Sequence, residues 1–156
     1  MVESVITAVS LAIQEAFDSL YPVYAMDVAQ ELNEPCFFLE MISLAKKPLI
    51  GSRQLLTAAL DIHFFPEDPA DNLSMWDVAE TLTGALTFVS DTDGMMYHCA
   101  GVSSTIADGV LHTECSCSAT FYVPKEGENM EELTGAVNLS ESLAADEDTE
   151  NYMGAL

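Results

Sequence analysis

The sequence predicts an α+β domain: a mixed, mostly antiparallel sheet with two amphipathic helices packed on it, followed by an acidic C-terminal extension. Three observations carry that prediction. Apolar residues recur at steps of three and four over residues 2–20 and again over 75–89, which lays one stripe along a helix. Apolar/polar alternation runs over residues 55–65 and 111–123, the pattern of strands with one buried face. Between the last two apolar runs stands Asp108-Gly109, whose tolerance of positive φ suits a two-residue type I′ hairpin turn.

Taken in order, the first helix places Val2, Val5, Ile6, Val9, Ala12, Ile13, Ala16, Phe17 and Leu20 on one side and Glu3, Thr7, Ser10, Gln14 and Asp18 on the other. Pro22 is expected to stop it, because the ring cannot continue the hydrogen-bonded ladder. A short segment at 23–28 and the break at Glu34-Pro35 precede a strand expected over 36–44, rich in Phe, Leu, Met and Ile. Lys46-Lys47-Pro48 and Gly51 read as an inter-strand loop. The next strand, 55–65, puts Leu56, Ala58, Leu60, Ile62 and Phe64 on its buried face and Thr57, Asp61 and His63 on the other. Asp71 or Asn72 then caps a second helix carrying Met75, Val78, Ala79, Leu82, Ala85, Leu86 and Val89. After a turn at 91–94, residues 96–123 form a long hairpin. An undisturbed register from the Asp108-Gly109 turn sets Ile106 against Leu111, Val102 against Cys115, Ala100 against Cys117 and His98 against Ala119. Residues 1–124 are thus expected to form the domain. Residues 125–156 form the extension, which is partly disordered, since it holds nine acidic residues against one lysine.

Charge narrows the function. The chain of 156 residues has 4 Lys and Arg against 26 Asp and Glu, a net charge of −22 with neutral histidines. Nucleic-acid affinity comes largely from Lys and Arg displacing counterions, so a phosphate-binding surface is excluded as the main business. The same sign excludes docking on an anionic leaflet. No apolar run approaches the ~18–20 residues of a membrane-spanning helix, and no export signal is read at the N-terminus.

The candidate chemistry is sparse. Cys115 and Cys117, with His98, Cys99 and His112 near them, suggest zinc, which wants four thiolate or imidazole ligands. The undisturbed register places Cys115, Cys117 and His98 on one face and Cys99 and His112 on the other, so one face offers at most three ligands and no metal is expected. A Cys–His nucleophile needs a base in reach and an oriented third group, and none is placed. His63 and His112 read as solvated or pairing residues, and no glycine-rich phosphate loop is present. No catalytic residue and no cofactor is therefore assigned. Two features remain as subunit or partner contacts. Lys46, Lys47 and Arg53 are three of the four basic residues, gathered where they would meet the acidic surface of a neighbouring copy. Met95 and Met96 open the hairpin with adaptable apolar side chains.

Several stretches resemble the phage tail terminator-like proteins of long-tailed phages and prophages. They are Glu34-Pro35-Cys36-Phe37-Phe38-Leu39-Glu40, Leu60-Asp61-Ile62-His63-Phe64-Phe65-Pro66, the helix from 72 to 86 with Met75 and Val78-Ala79-Glu80, and Asp108-Gly109-Val110-Leu111-His112. The resemblance implies a non-enzymatic virion protein at the head–tail junction, assembled in the host cytoplasm. It implies a hexameric ring that caps the tail tube, ends tube polymerisation and joins the tail to a head-completion (connector) protein. DNA would pass through such a ring without specific binding, and no membrane is involved. Two alternatives stand beside it. An acidic DNA mimic would array carboxylates at phosphate-like intervals on one face; a small Cys/His metal-binding protein would carry bound metal on purification.

Overall fold

The N-terminal apolar stripe becomes helix α1 (Val2–Ala16) in the computed structural model, which describes residues 2–26 and 32–124. Val5, Ala8, Val9 and Ile13 are buried along it. The helix ends four residues earlier than the expected 2–20. Asp18 and Ser19 take left-handed φ values of 53° and 56°, and the Ser19 N–H donates to Gln14 O at 2.7 Å. Side-chain packing explains the early stop. The turn brings Phe17 and Tyr21 against Phe37, with ring centroids 5.2 and 5.7 Å apart, while Leu20 is left in solvent.

The chain continues through β1 (Val23–Ala25), β2 (Cys36–Pro48), β3 (Arg53–Phe65), α2 (Asn72–Ala85), β4 (Phe88–Ser90), β5 (Met96–Ala107) and β6 (Val110–Tyr122). The strands form one sheet in the order β1-β2-β3-β6-β5-β4. β1 pairs parallel with β2, whereas β2–β3, β4–β5 and β5–β6 pair antiparallel, so the sheet is mixed. Residues 1–121 form one unit. Of the second, 122–156, only residues 122–124 are described, so the acidic extension lies outside the described residues.

Both helices contact the sheet and each other, α1 through β1, β4 and β5 and α2 through β5. The alternation read in β3 holds: Leu56, Ala58, Leu60, Ile62 and Phe64 are all buried. Phe37 and Leu39 of β2, Tyr97 and Cys99 of β5, and Leu111, Cys115 and Cys117 of β6 join them in the same core. Asp71 is the N-cap of α2, its carboxylate accepting from Ser74 N–H at 3.1 Å. Ser4 on α1 donates to Asp91 Oδ2 and shares a 2.7 Å hydrogen bond with the Tyr97 hydroxyl. Asp91 Oδ1 accepts from the N–H groups of Asp93 and Met95, so one carboxylate holds both the turn before β5 and the start of α1.

Three further expectations need correction. The loop expected at Lys46-Lys47-Pro48 is strand: β2 runs to Pro48, with Lys46 opposite Leu56 and Lys47 opposite Leu55, and only 49–52 turn. Pairing with β3 outweighs the local polar composition, as strand preference depends on neighbours more than on intrinsic backbone bias. Val89 is not helical. α2 stops at Ala85, and Val89 is buried from the edge strand β4, opposite Tyr97. The third correction concerns the β5–β6 register. From the turn (Asp108 φ 53°, Gly109 φ 75°) it runs as expected through Ser103↔Glu114, then shifts between Ser103 and Ala100. Gly101, at φ 65°, supplies the left-handed residue such a bulge uses. Beyond it Ala100 faces Ser116, Cys99 faces Cys117 and His98 faces Ser118. A second shift falls between Met41 and Ser43 on β2, at Ile42.

Candidate functional site

Sheet alternation gives three places where polar, charged or thiol side chains gather. The first is the far end of the β2–β3 hairpin, where residues 42–48 of β2 are exposed. Residues directly opposed across a ladder share a face, so Lys46 lies with Leu56, whereas Lys47 and Arg53 lie on the other face with Leu55. The three cations therefore flank the arm on both sides rather than forming one loop patch. Lys46 Nζ sits 5.9 Å from the centroid of the Phe121 ring, and Arg53 Nε donates to Ile50 O at 3.0 Å, bracing the tip. Among the described residues none of the three pairs with a carboxylate. Exposed Leu44 and Ile50, the latter 84% exposed, put apolar surface beside the charge.

The second is a group of thiols. The bulge at Gly101 turns Cys99 onto the buried face, so the separation of Cys99 from Cys115 and Cys117 expected from an undisturbed register is overturned. Cys99 Sγ lies 2.7 Å from Cys117 Sγ, and Cys115 Sγ lies 3.9 Å from Cys117 Sγ. His98 and His112 lie on the opposite face, away from these sulfurs. The hydrogen bond with Cys115 and burial push the Cys99 thiol up to about 12. Cys117 is raised as well, through its hydrogen bonds with Cys115 and Cys99 and through burial. The Cys115 thiol is instead lowered, to about 4, by its hydrogen bonds with Cys117 and Cys99, so the three sulfurs share one thiolate, held at Cys115 by two protonated neighbours. Cys36 is buried elsewhere on β2, its thiol also raised by burial and by Glu34.

The third lies on the sheet face away from the helices. Glu40 of β2 and Asp61 of β3 are directly opposed in the ladder. His63 Nε2 lies 3.2 Å from Glu40 Oε1 and 3.4 Å from Asp61 Oδ2, and His112 Nδ1 lies 3.2 Å from the same Asp61 oxygen. The expected pairing role of His63 and His112 is thus met, by a partner that sequence reasoning left unused. Asp61 is only 9% exposed, and its Oδ1 has no hydrogen-bond partner. Its residue type on a polar strand position gave no sign of burial; the signal was its position two residues before His63.

A family model described as phage tail terminator protein matches residues 4–131 of the chain. The chain belongs to the phage tail terminator family. It is a structural component of the phage tail. No curated protein matches the chain well enough to be named as a relative. In this tail terminator the two methionines expected as contacts divide. Met95 packs against the core from the turn, whereas Met96 opens β5 as an exposed residue opposite Ser90. Phe88, exposed on the edge strand and 5.0 Å from the His98 ring, extends the terminator's apolar edge; its placement on a helix-like run hid it in the sequence.

Proposed function

We propose that this terminator forms a ring at the head-proximal end of a phage tail tube, ends tube polymerisation and joins the tail to the head, with the β2–β3 arm making the contact between copies. The observation that carries this reading is the arm's charge. Three of the four Lys and Arg of a chain at −22 stand on one projecting hairpin beside exposed Leu44 and Ile50. A cationic tip on an acidic body favours a head-to-tail contact, in which one copy's arm meets the next copy's acidic surface, and repetition of that contact closes a ring. Six copies are expected from the family resemblance. The remaining acidic surface repels passing DNA, so the channel carries DNA without holding it. Met96 faces the tail tube protein or the head-completion protein, and the joint performs no catalytic step. Assembly takes place in the host cytoplasm and the ring resides at the head–tail junction.

The test is the triple variant Lys46→Glu, Lys47→Glu, Arg53→Glu in the full chain. The expected result is a folded protein with an almost unchanged melting temperature that no longer forms rings in sedimentation. In the phage it leaves tails of uncontrolled length without heads. Rings of normal size from the triple variant would remove the arm from the contact. Normal joined particles made without any of this protein would remove the capping role.

A further inference from the structure

The geometry points to a divalent transition-metal site of the zinc class on the sheet face away from α1 and α2, with Asp61, His63 and His112 as its three protein ligands and Glu40 as an outer partner beside His63. Zinc binds imidazole nitrogen and carboxylate oxygen at about 2.0–2.2 Å in a tetrahedron, which separates neighbouring donor atoms by roughly 3.3–3.5 Å. The donor separations here are 3.2 Å for His112–Asp61, 3.4 Å for His63–Asp61 and 3.2 Å for His63–Glu40. The ligand atoms of Asp61, His63 and His112 all lie within 4.8 Å of one another.

Two further observations call for a cation. Glu40 and Asp61 are directly opposed across the β2–β3 ladder, and like charges so placed repel unless something neutralises them. Asp61 is nine-tenths buried; its Oδ2 faces both imidazoles while its Oδ1 has no partner, so a cation bound at Oδ2 would neutralise a buried carboxylate that is only half satisfied. Two nitrogens with carboxylate oxygens suit Zn²⁺ and its neighbours in the series, not Ca²⁺ or Mg²⁺, which prefer all-oxygen shells. Bound there, the ion ties β3 to β6 on a face that, among the described residues, no helix braces. The site stands independently of the ring reading, and it departs from the sequence-based expectation of no metal.

The experiment uses the untagged full chain, stripped with chelator and titrated with Co²⁺ and Zn²⁺ by absorbance, calorimetry and thermal melting. The expected result is one equivalent bound and a raised melting temperature, because an ion that binds only the folded form stabilises it. The cobalt spectrum should show no thiolate-to-metal charge-transfer band. In the double variant His63→Gln, His112→Gln affinity should fall at least about tenfold, since even the outer partners of metal ligands carry that much. Far-UV circular dichroism checks that this variant folds. Should it not, Glu40→Gln at the half-exposed position carries the test, with a roughly tenfold loss expected. No stoichiometric uptake, affinity unchanged by these substitutions, or a thiolate band assigning the metal to Cys99, Cys115 and Cys117 would each overturn the site.

Discussion

The two faces of the sheet obey one alternation rule and come out as different materials. The face under α1 and α2 is dense and apolar: Phe37, Leu39, Leu60, Ile62, Tyr97 and Leu111 are buried within one cluster. The other face carries Glu40, Asp61, His63 and His112, and beyond α1 and α2 the β2–β3 arm exposes Lys, Leu and Ile on both of its faces. Stability is therefore concentrated where α1 and α2 cover the sheet, and the polar cluster and the arm's cations lie outside that cover. Substitutions that unfold the protein and substitutions that disable it should fall on different residues, even at adjacent positions of the same strand.

The largest effect is expected on the covered side. Phe37→Ala removes the ring that Phe17, Tyr21 and Phe64 surround, and should cost about 3–5 kcal/mol in urea denaturation; a cost below ~1 kcal/mol would mean that the aromatic cluster is not the core. Next comes the bulge that decides which face Cys99 joins. Gly101→Ala forces a side chain into the left-handed region at φ 65°, with open space around it, and should cost about 1–2 kcal/mol through backbone strain alone. Cross-strand NMR contacts would then report either Cys99 still opposite Cys117 or a slipped hairpin.

Asp71→Ala deletes the cap of α2 and should cost about 1 kcal/mol. Asp91 offers a pH test of the link between α1 and the turn before β5. The Ser4 hydroxyl, with the N–H groups of Met95, Asp93 and Gly94, holds its carboxyl below the usual carboxylate range. A depressed folded value means that its contribution is present above the unfolded pKa of ~3.9 and is lost as pH falls through the folded value. Asp91→Asn should therefore show a shallower loss of stability on acidification below about pH 4 than the parent; superimposable acid profiles would dismiss the link. The smallest effect belongs to the arm. Leu44→Ser and Ile50→Ser should shift the stability of the isolated chain by no more than about 0.5 kcal/mol while weakening assembly.

Much of this architecture was legible in the order of residues. The stripe at Val5, Val9 and Ile13, the alternation through β3, the Asp71 cap and the Asp108-Gly109 turn all express periods of two to four residues, and each such period is a property of the local backbone. Tail membership was legible too, through the stretches around Phe37, His63 and Asp108. The arm was half legible: its cations were found, but Lys46 and Lys47 were given to a loop because their polar character outweighed, on paper, a ladder partner that lies at residues 55–56.

What the sequence alone determined was therefore the kind and sequence of elements, since hydrophobic period and turn chemistry act within a few residues. The tertiary structure decided where α1 stops, which face Cys99 takes and that His112 reaches Asp61 across 51 positions. Each of those depends on packing against a distant strand, and a one-residue shift at Gly101 reverses every side chain beyond it.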